Sequence, residues 1–299
     1  MKNKSLMPSI SVVIPSHNAQ STIQTTLKRV LAQKQPCDEI IIVDNNSHEN
    51  DNTESIVTSL NEPSIRYLKP AECANGNVAR NIGSEASSSD FIAYCDSDDE
   101  WDVDHLATRV VLHQQTQALA IYSGAKIRNG KQVKQDISRA IKVNESAVEF
   151  VIGANKALAQ TSSFFVHQSV WQKSPWDETL KRHQDYEFFI AVQQAVGWHY
   201  LDQATYYLNW HATDIRHHHF ASYWDFYSKY KEQLADASKA RYLFTRWKEA
   251  HLFAPQDEYK QQFENELAQV KQQLPLSKKV LFSQPWLLTS LWSVLRHYI

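Results

Sequence analysis

Three carboxylates, Asp96, Asp98 and Asp99, fall within four residues directly after the apolar run 91–95, FIAYC. Like charges so close repel one another at neutral pH, and the relief is a bound divalent cation or a raised pKa. If the run is a buried strand, the cluster sits at its carboxyl end, where open α/β sheets bind their ligands. The competing reading is an acidic turn capping a helix that starts near Trp101, whose N-terminus favours negative charge. Three more residues are placed to do chemistry. Asp44 closes the run 39–44, EIIIVD, as Asp96 follows FIAYC, which puts both acids on one rim of a parallel sheet; a plain Asx turn through Asn45 and Asn46 is the alternative. Arg80, in Gly76-Asn77-Val78-Ala79-Arg80, stands one turn inside a helix opened by a glycine, where it could meet an anion or a base edge. Asp185 shares a helical stripe with Phe188, Phe189, Val192 and Val196, and a carboxylate on such an inward face is costly unless a cleft needs it. An acid that merely complements a helix N-terminus is the alternative there.

The elements that must hold these residues alternate in type. A strand over 10–15, a helix over 21–33 and a strand over 39–44 read as a βαβ unit. A polar loop 45–52, a helix to about 60, a strand at 65–69, a helix over 78–87 and the strand leading to Asp96 extend it. A helix over 101–117, a strand at 119–123, a small hairpin within 125–136 and a strand over 161–166 follow. Continuous β-branched runs without alternation suit a parallel sheet covered on both faces, so the expected class is α/β, a doubly wound, mostly parallel sheet. After about Phe220 the chain turns polar and helix-rich. The division is therefore placed at 215, with a catalytic domain over 1–215 and a helical C-terminal region over 216–299.

Composition bounds the function. The chain has 299 residues, enough for a large core. Its formal charge of -2 leaves no basic footprint for a nucleic acid. Cys37, Cys73 and Cys95 lack metal-type spacing and leave one thiol over in any disulfide scheme, which favours a reducing compartment; Cys95 reads as strand packing. No apolar leader opens the chain and no stretch of eighteen apolar residues spans a bilayer, so a cytoplasmic location is expected.

The ordered strings SVVIPSHN, EIIIVDNNS, GNVARNIGSEASSSDFIAYCDSDDEW and SSFF with RHQDYEFF downstream resemble glycosyltransferase family 2, over about residues 9–215. The resemblance implies a GT-A fold and inverting transfer of a sugar from a nucleotide-diphosphate donor, usually a uridine one, to a hydroxyl acceptor. It places Pro15, His17 and Asn18 beside the nucleotide base, with His17 where the family often has an aromatic residue. Asp44 corresponds to the acid that bonds the base, and Asn77 and Arg80 to the segment that approaches base or diphosphate. Asp96, Ser97 and Asp98 match the DxD signature, in which ribose hydroxyls and a Mn²⁺ or Mg²⁺ ion are shared; Asp96, Asp98 and Asp99 are the candidate ligands. Asp185 matches the catalytic base, with Gln184 where the family commonly has Glu. A histidine that reaches the metal is matched by His211, with His217, His218 and His219 as rivals. The implied acceptor is a glycan or lipid-linked glycan of a bacterial surface polysaccharide.

Trp171, Trp176 and Trp198 read as core residues ahead of sugar platforms. In the tail, Leu287, Leu288, Leu291, Trp292 and Leu295 form one stripe flanked by basic residues, so residues 276–299 could lie in a membrane surface or dock on protein. Two other functions fit an acidic rim on an α/β sheet. A nucleotidyltransferase would want a Gly-rich, Lys-containing loop, but the first turn is Pro15-Ser16-His17-Asn18. A non-catalytic sugar-binding protein would have no need of Asp96, Asp98 and Asp185 together.

Overall fold

A computed structural model of the chain describes residues 7–129, 132–135, 138–153, 155–209 and 219–295. The chain divides into two compact units, residues 1–142 with 157–215, and 143–156 with 216–299.

The first unit begins β1 (Ile10–Ser16), α1 (Ile23–Leu31), β2 (Glu39–Asp44), α2 (Thr53–Ser59), β3 (Ile65–Leu68), α3 (Gly76–Glu85), β4 (Phe91–Tyr94). It continues through β5 (Glu100–Trp101), α4 (His105–Thr116), β6 (Ala120–Ser123) and the pair β7 (Lys126–Asn129) and β8 (Gln132–Gln135). Between β8 and the next strand the chain passes through α5 (Ala147–Ile152), which belongs to the second unit. Then come β9 (Phe165–His167), α6 (Gln168–Lys173), α7 (Gln184–Ala195), β10 (His199–Leu201) and β11 (Tyr206–Asn209). Seven strands form one sheet in the order β10-β6-β9-β4-β1-β2-β3. β4, β1, β2 and β3 run parallel, as do β6 and β10, while β9 lies antiparallel between β4 and β6.

The β-branched runs explain the centre of this sheet. Every residue of β1 is buried, and Ile40, Ile41, Ile42 and Val43 of β2 are wholly covered, because helices lie on both faces. Helix α1 presents Ile23, Leu27 and Val30 to the core at i, i+4 and i+7. Gly83 lets α3 sit close to the sheet, since a Cβ there would lie 2.5 Å from Val13 Cγ1 and 3.3 Å from Val43 Cγ2.

A second, four-stranded sheet, β5-β11-β7-β8, contains the expected hairpin but also two strands with no sequence expectation behind them. β5 is the clearest departure. Glu100 and Trp101 pair antiparallel with β11, and the helix expected from 101 starts only at His105. The acidic turn therefore leads into a strand and caps no helix. Behind it, Arg109 is wholly buried and joins four segments, donating to His105 O, Thr205 Oγ1, Ser123 Oγ and Ser163 O. Burial pulls its guanidinium down to about 9. In α7, Phe188, Phe189 and Val192 are buried as the stripe required, but Val196 lies past the helix end and is 39% exposed.

The second unit packs α5 with α8 (Phe220–Tyr230), α9 (Asp236–Phe253), α10 (Glu258–Val270), α11 (Leu276–Ser283) and α12 (Trp286–Leu295). Its core is aromatic and aliphatic, with Tyr227, Leu243, Trp247, Phe263 and Leu267 essentially inaccessible. Residues 143–156 thus pack with the C-terminal helices, although the sequence-based division assigned them to the catalytic domain. Among the described residues, no helix is long and apolar enough to cross a membrane.

Candidate active site

At the carboxyl ends of β1 and β4 lies an open cleft of about 790 Å³, within the range of ordinary ligand sites. The turn after β1 supplies one wall with Pro15, His17 and Asn18; Asp96, Ser97 and Asp98 supply another, and Gly76, Arg80, Arg182 and Gln184 close the third. Residues 80 positions apart in sequence meet because parallel strands deliver all their carboxyl ends to one edge. A larger groove, about 1100 Å³, lies at the opposite edge beside Asp38, Asp90, His113 and His167. None of the rim acids reaches it, so size does not identify the site.

Arg80 organises the cleft. Its Nη2 donates to Asp96 Oδ1 at 2.8 Å, and its Nη1 to Asn77 Oδ1 at 3.2 Å and Gln184 Oε1 at 3.3 Å. Its guanidinium stands 4.8 Å from the Trp176 ring centre, and Trp176 stacks in turn on Phe188 at 4.0 Å. The cation is held by three acceptors and an aromatic face, a geometry a lysine could not reproduce.

The backbone around the acids is pinned from two sides. Thr26 of α1 places its hydroxyl 3.0 Å from Ser97 O and 2.9 Å from Asp99 O. Ser162 accepts from the Asp96 N–H at 2.9 Å and donates to Asp99 Oδ2 at 2.6 Å, and Asn209 Nδ2 donates to Asp98 O at 2.6 Å. Sequence reasoning missed Thr26, Ser162 and Arg182, whose partners lie 63 or more positions away or whose value is only spatial. The SSFF string was the one signal that pointed near Ser162.

Asp185 is the second residue of α7, and the Tyr186 N–H donates to its Oδ1 at 3.0 Å. Burial pushes its carboxyl up to about 6, with the charge of Asp96 adding to the rise and Arg80 opposing it. A carboxylate that titrates there is poised as a proton acceptor near neutral pH. An acid that only complemented a helix dipole would have its pKa lowered.

Several residues take other positions than the sequence suggested. Asp99 is 2% exposed, faces Ser162 and Asn209, and does not line the cleft; burial and the neighbouring acids push its carboxyl well up. Asn77 is wholly buried, donates to Asp177 O at 2.6 Å and accepts from Arg80, so it positions Arg80 and contacts no ligand space. Asp44 is 4% exposed, accepts from Ser47 N–H at 2.7 Å and Tyr67 O–H at 2.9 Å, and does not line the cleft, whereas the next residue, Asn45, does. It thus closes a turn and supports the rim. His17 is exposed, its Nδ1 2.7 Å from Asn45 O, and Asn18 takes a left-handed conformation, φ +49°. His211, His217 and His218 lie outside the described residues. Trp176 is a core residue, while Trp198 is half-buried and stacked on Phe189 at 5.3 Å.

A parallel-stranded α/β sheet with one antiparallel strand, carrying an acid cluster and an arginine at one cleft, defines a GT-A type of protein. Residues 11–195 match the sequence profile of Glycosyl transferase family 2, and the chain belongs to that family. It is 29% identical over 194 residues to the amylovoran biosynthesis glycosyltransferase AmsB of Erwinia amylovora, covering 62% of this chain and 64% of that protein. It is 28% identical over 124 residues to WfgD of Escherichia coli, a UDP-Glc:alpha-D-GlcNAc-diphosphoundecaprenol beta-1,3-glucosyltransferase, covering 42% of this chain and 48% of that one. The chain thus spans less than two-thirds of either relative. The crystal structure of S. aureus TarS 1-349 in complex with UDP-GlcNAc shares the fold, with a TM-score of 0.66 and 19% identity over 91% of this chain and 83% of that one.

Proposed function

We propose that this protein is an inverting, metal-dependent glycosyltransferase that moves a sugar from a UDP-sugar to a hydroxyl of a glycan, in lipid-linked form, during bacterial surface polysaccharide synthesis. The observation that carries this is the cleft itself, whose lining brings Asp96, Asp98 and Arg80 into one space, with Asp185 next in the chain to Gln184 of its wall. The relatives support the polysaccharide and lipid-linked part: AmsB is named for amylovoran biosynthesis and WfgD for a diphosphoundecaprenol acceptor. A UDP-GlcNAc complex of the structural neighbour TarS supports the uridine donor.

The donor set suits Mn²⁺ or Mg²⁺. Asp96 and Asp98 offer only oxygen, and among the described residues no group of three or more His, Cys, Asp or Glu is placed to hold an ion. One or two carboxylates completed by phosphate oxygens and water is how such ions are commonly held beside nucleotides. When bound, the ion neutralises charge on the departing diphosphate. This chain's residues do the rest. Arg80 keeps the Asp96 carboxylate in place and lends the cleft a fixed positive charge. His17 and Asn18 form the wall on which a base can lie. Asp185 takes the proton from the acceptor hydroxyl as that oxygen attacks the anomeric carbon; the carbon–oxygen bond to the diphosphate breaks on the opposite face, inverting the centre. Such a base contributes about 10²–10⁴-fold in rate.

Calorimetry with UDP tests the donor and metal parts. Binding should be stronger with Mn²⁺ than with a chelator, and Asp98→Asn should erase that difference. Equal affinity in both conditions would remove the metal-bridged reading.

A further inference from the structure

The tail resolves into a mixed surface. Leu288 of α12 is 6% exposed, and Phe282 of α11 meets Trp247 of α9 with ring centres 4.9 Å apart, so both helices dock on their own unit. Docking does not use up their apolar residues. Leu276 is 77% exposed, Trp286 61%, Leu291 51% and Val280 43%. Leu276 and Val280 share a helix face at i and i+4, and Trp286 opens the next helix only six residues on. Four large apolar groups exposed within sixteen residues are more than singly scattered ones, which would need no explanation.

Charge says what covers them. From Leu267 to the last residue of the sequence there is no Asp or Glu, while Lys271, Lys278, Lys279 and Arg296 contribute +4; the rest of the chain carries -6 to give the total of -2. A basic, acid-free segment with an exposed tryptophan at the start of its second helix fits a surface that is negatively charged at its face and apolar just beneath. An acidic protein partner would satisfy the lysines but leave Leu276 and Leu291 unexplained. A second copy of this unit would oppose lysines to lysines.

We infer that the α11–α12 surface docks on the anionic face of a lipid bilayer, with Trp286, Leu276, Val280 and Leu291 entering the interfacial layer and Lys271 and Lys279 meeting the headgroups, while Lys278 lies 5.3 Å over the Phe244 ring of its own unit. The inference deepens the proposed function, because a lipid-linked acceptor is presented only at such a surface. Confinement there raises the local concentration of enzyme and acceptor without any new contact in the cleft.

Flotation of the whole protein with vesicles lacking any glycan lipid tests it. Vesicles containing phosphatidylglycerol should carry the protein up the gradient, and vesicles of phosphatidylcholine alone should not. Lys271→Glu with Lys279→Glu should weaken binding at least 25-fold, since each lysine at an anionic surface contributes about a factor of five. Trp286→Ser with Leu291→Ser should weaken it about 100-fold, about tenfold for each lost apolar group. Both pairs are surface changes and should leave the melting temperature within a few degrees; a pair that melts early is set aside for the other. Absence of flotation, or equal flotation on neutral vesicles, would overturn the inference. So would a wild-type dimer, seen by sedimentation, that Trp286→Ser and Leu291→Ser dissolve. UDP binding is measured without lipid, so failure here and failure of the donor reading are separate results.

Discussion

Replacing Asp185 by Asn should make this protein more stable and less active at once, with a pH dependence that identifies the cause. In the folded chain burial raises the carboxyl from its ordinary 3.8 to about 6. Below about pH 4 the group is protonated in both states and contributes no pH-linked difference. Between about 4 and 6 the unfolded chain gives up the proton while the folded one still binds it, so stability falls as pH rises through that window. Above it the folded state carries a half-buried charge at a cost of up to about 3 kcal/mol, from the rise to about 6 at 1.36 kcal/mol per pH unit. Asparagine keeps the shape and the bond from the Tyr186 N–H but has nothing to ionise. The variant should therefore match the wild type near pH 4 and exceed it by up to about 3 kcal/mol at pH 8, up to roughly 6–12 °C in melting temperature for a unit of this size. Transfer at pH 8 should drop about 10²–10⁴-fold with UDP affinity unchanged. Denaturation of ligand-free protein across pH 4–8, paired with turnover on one preparation, is the assay. A stability difference independent of pH would refute the raised carboxyl, and near wild-type turnover would remove Asp185 as the base.

The wild-type rate should rise with pH to a plateau, half-maximal near 6, because only the ionised Asp185 accepts a proton; a flat profile from pH 5 to 8 counts against it. Gln184→Glu sets a carboxylate beside both Arg80 and Asp185, so that midpoint should move to higher pH, read from the same profile. Arg80→Lys keeps the charge but cannot reach Asp96, Asn77 and Gln184 together, and UDP binding by calorimetry should weaken about 10–100-fold. Ser162→Ala removes the hydroxyl between the Asp96 N–H and Asp99, at about 1–3 kcal/mol in denaturant unfolding, together with weaker metal-dependent UDP binding.

The first half of the sheet was legible because its strands are buried on both faces and spell this in unbroken β-branched runs. The rim was legible for the same reason: a carboxylate where such a run stops has few roles other than to face a ligand or close a turn. Asp44 does the second and Asp96 lines the cleft. What stayed hidden depends on pairings between distant segments. Two residues of β5 carry no periodicity at all, and their strand exists only because β11, more than a hundred positions later, lies beside them. Asp99 looks like Asp98 in a string of letters; only the Ser162 hydroxyl and the Asn209 N–H show that it faces inward. Asn77 was equally opaque, since nothing in GNVARN says which side chain meets solvent and which meets Asp177 O.

Helix α5 has a consequence for how the chain is made. Val148, Phe150 and Val151 are fully covered in the finished protein, and Glu149 accepts from the Ala235 N–H and the Ser238 hydroxyl, each at 2.6 Å, while Arg241 donates to Ile152 O and Gly153 O. All of those partners belong to α9 or the turn before it, which leaves the ribosome roughly a hundred residues after α5. At about 5–20 residues per second that is roughly 5–20 s during which three large apolar side chains stand unsheltered on a nascent chain. A ribosome stalled just after residue 215 should therefore display a sticky intermediate that chaperones hold, and release should wait for α9 to emerge.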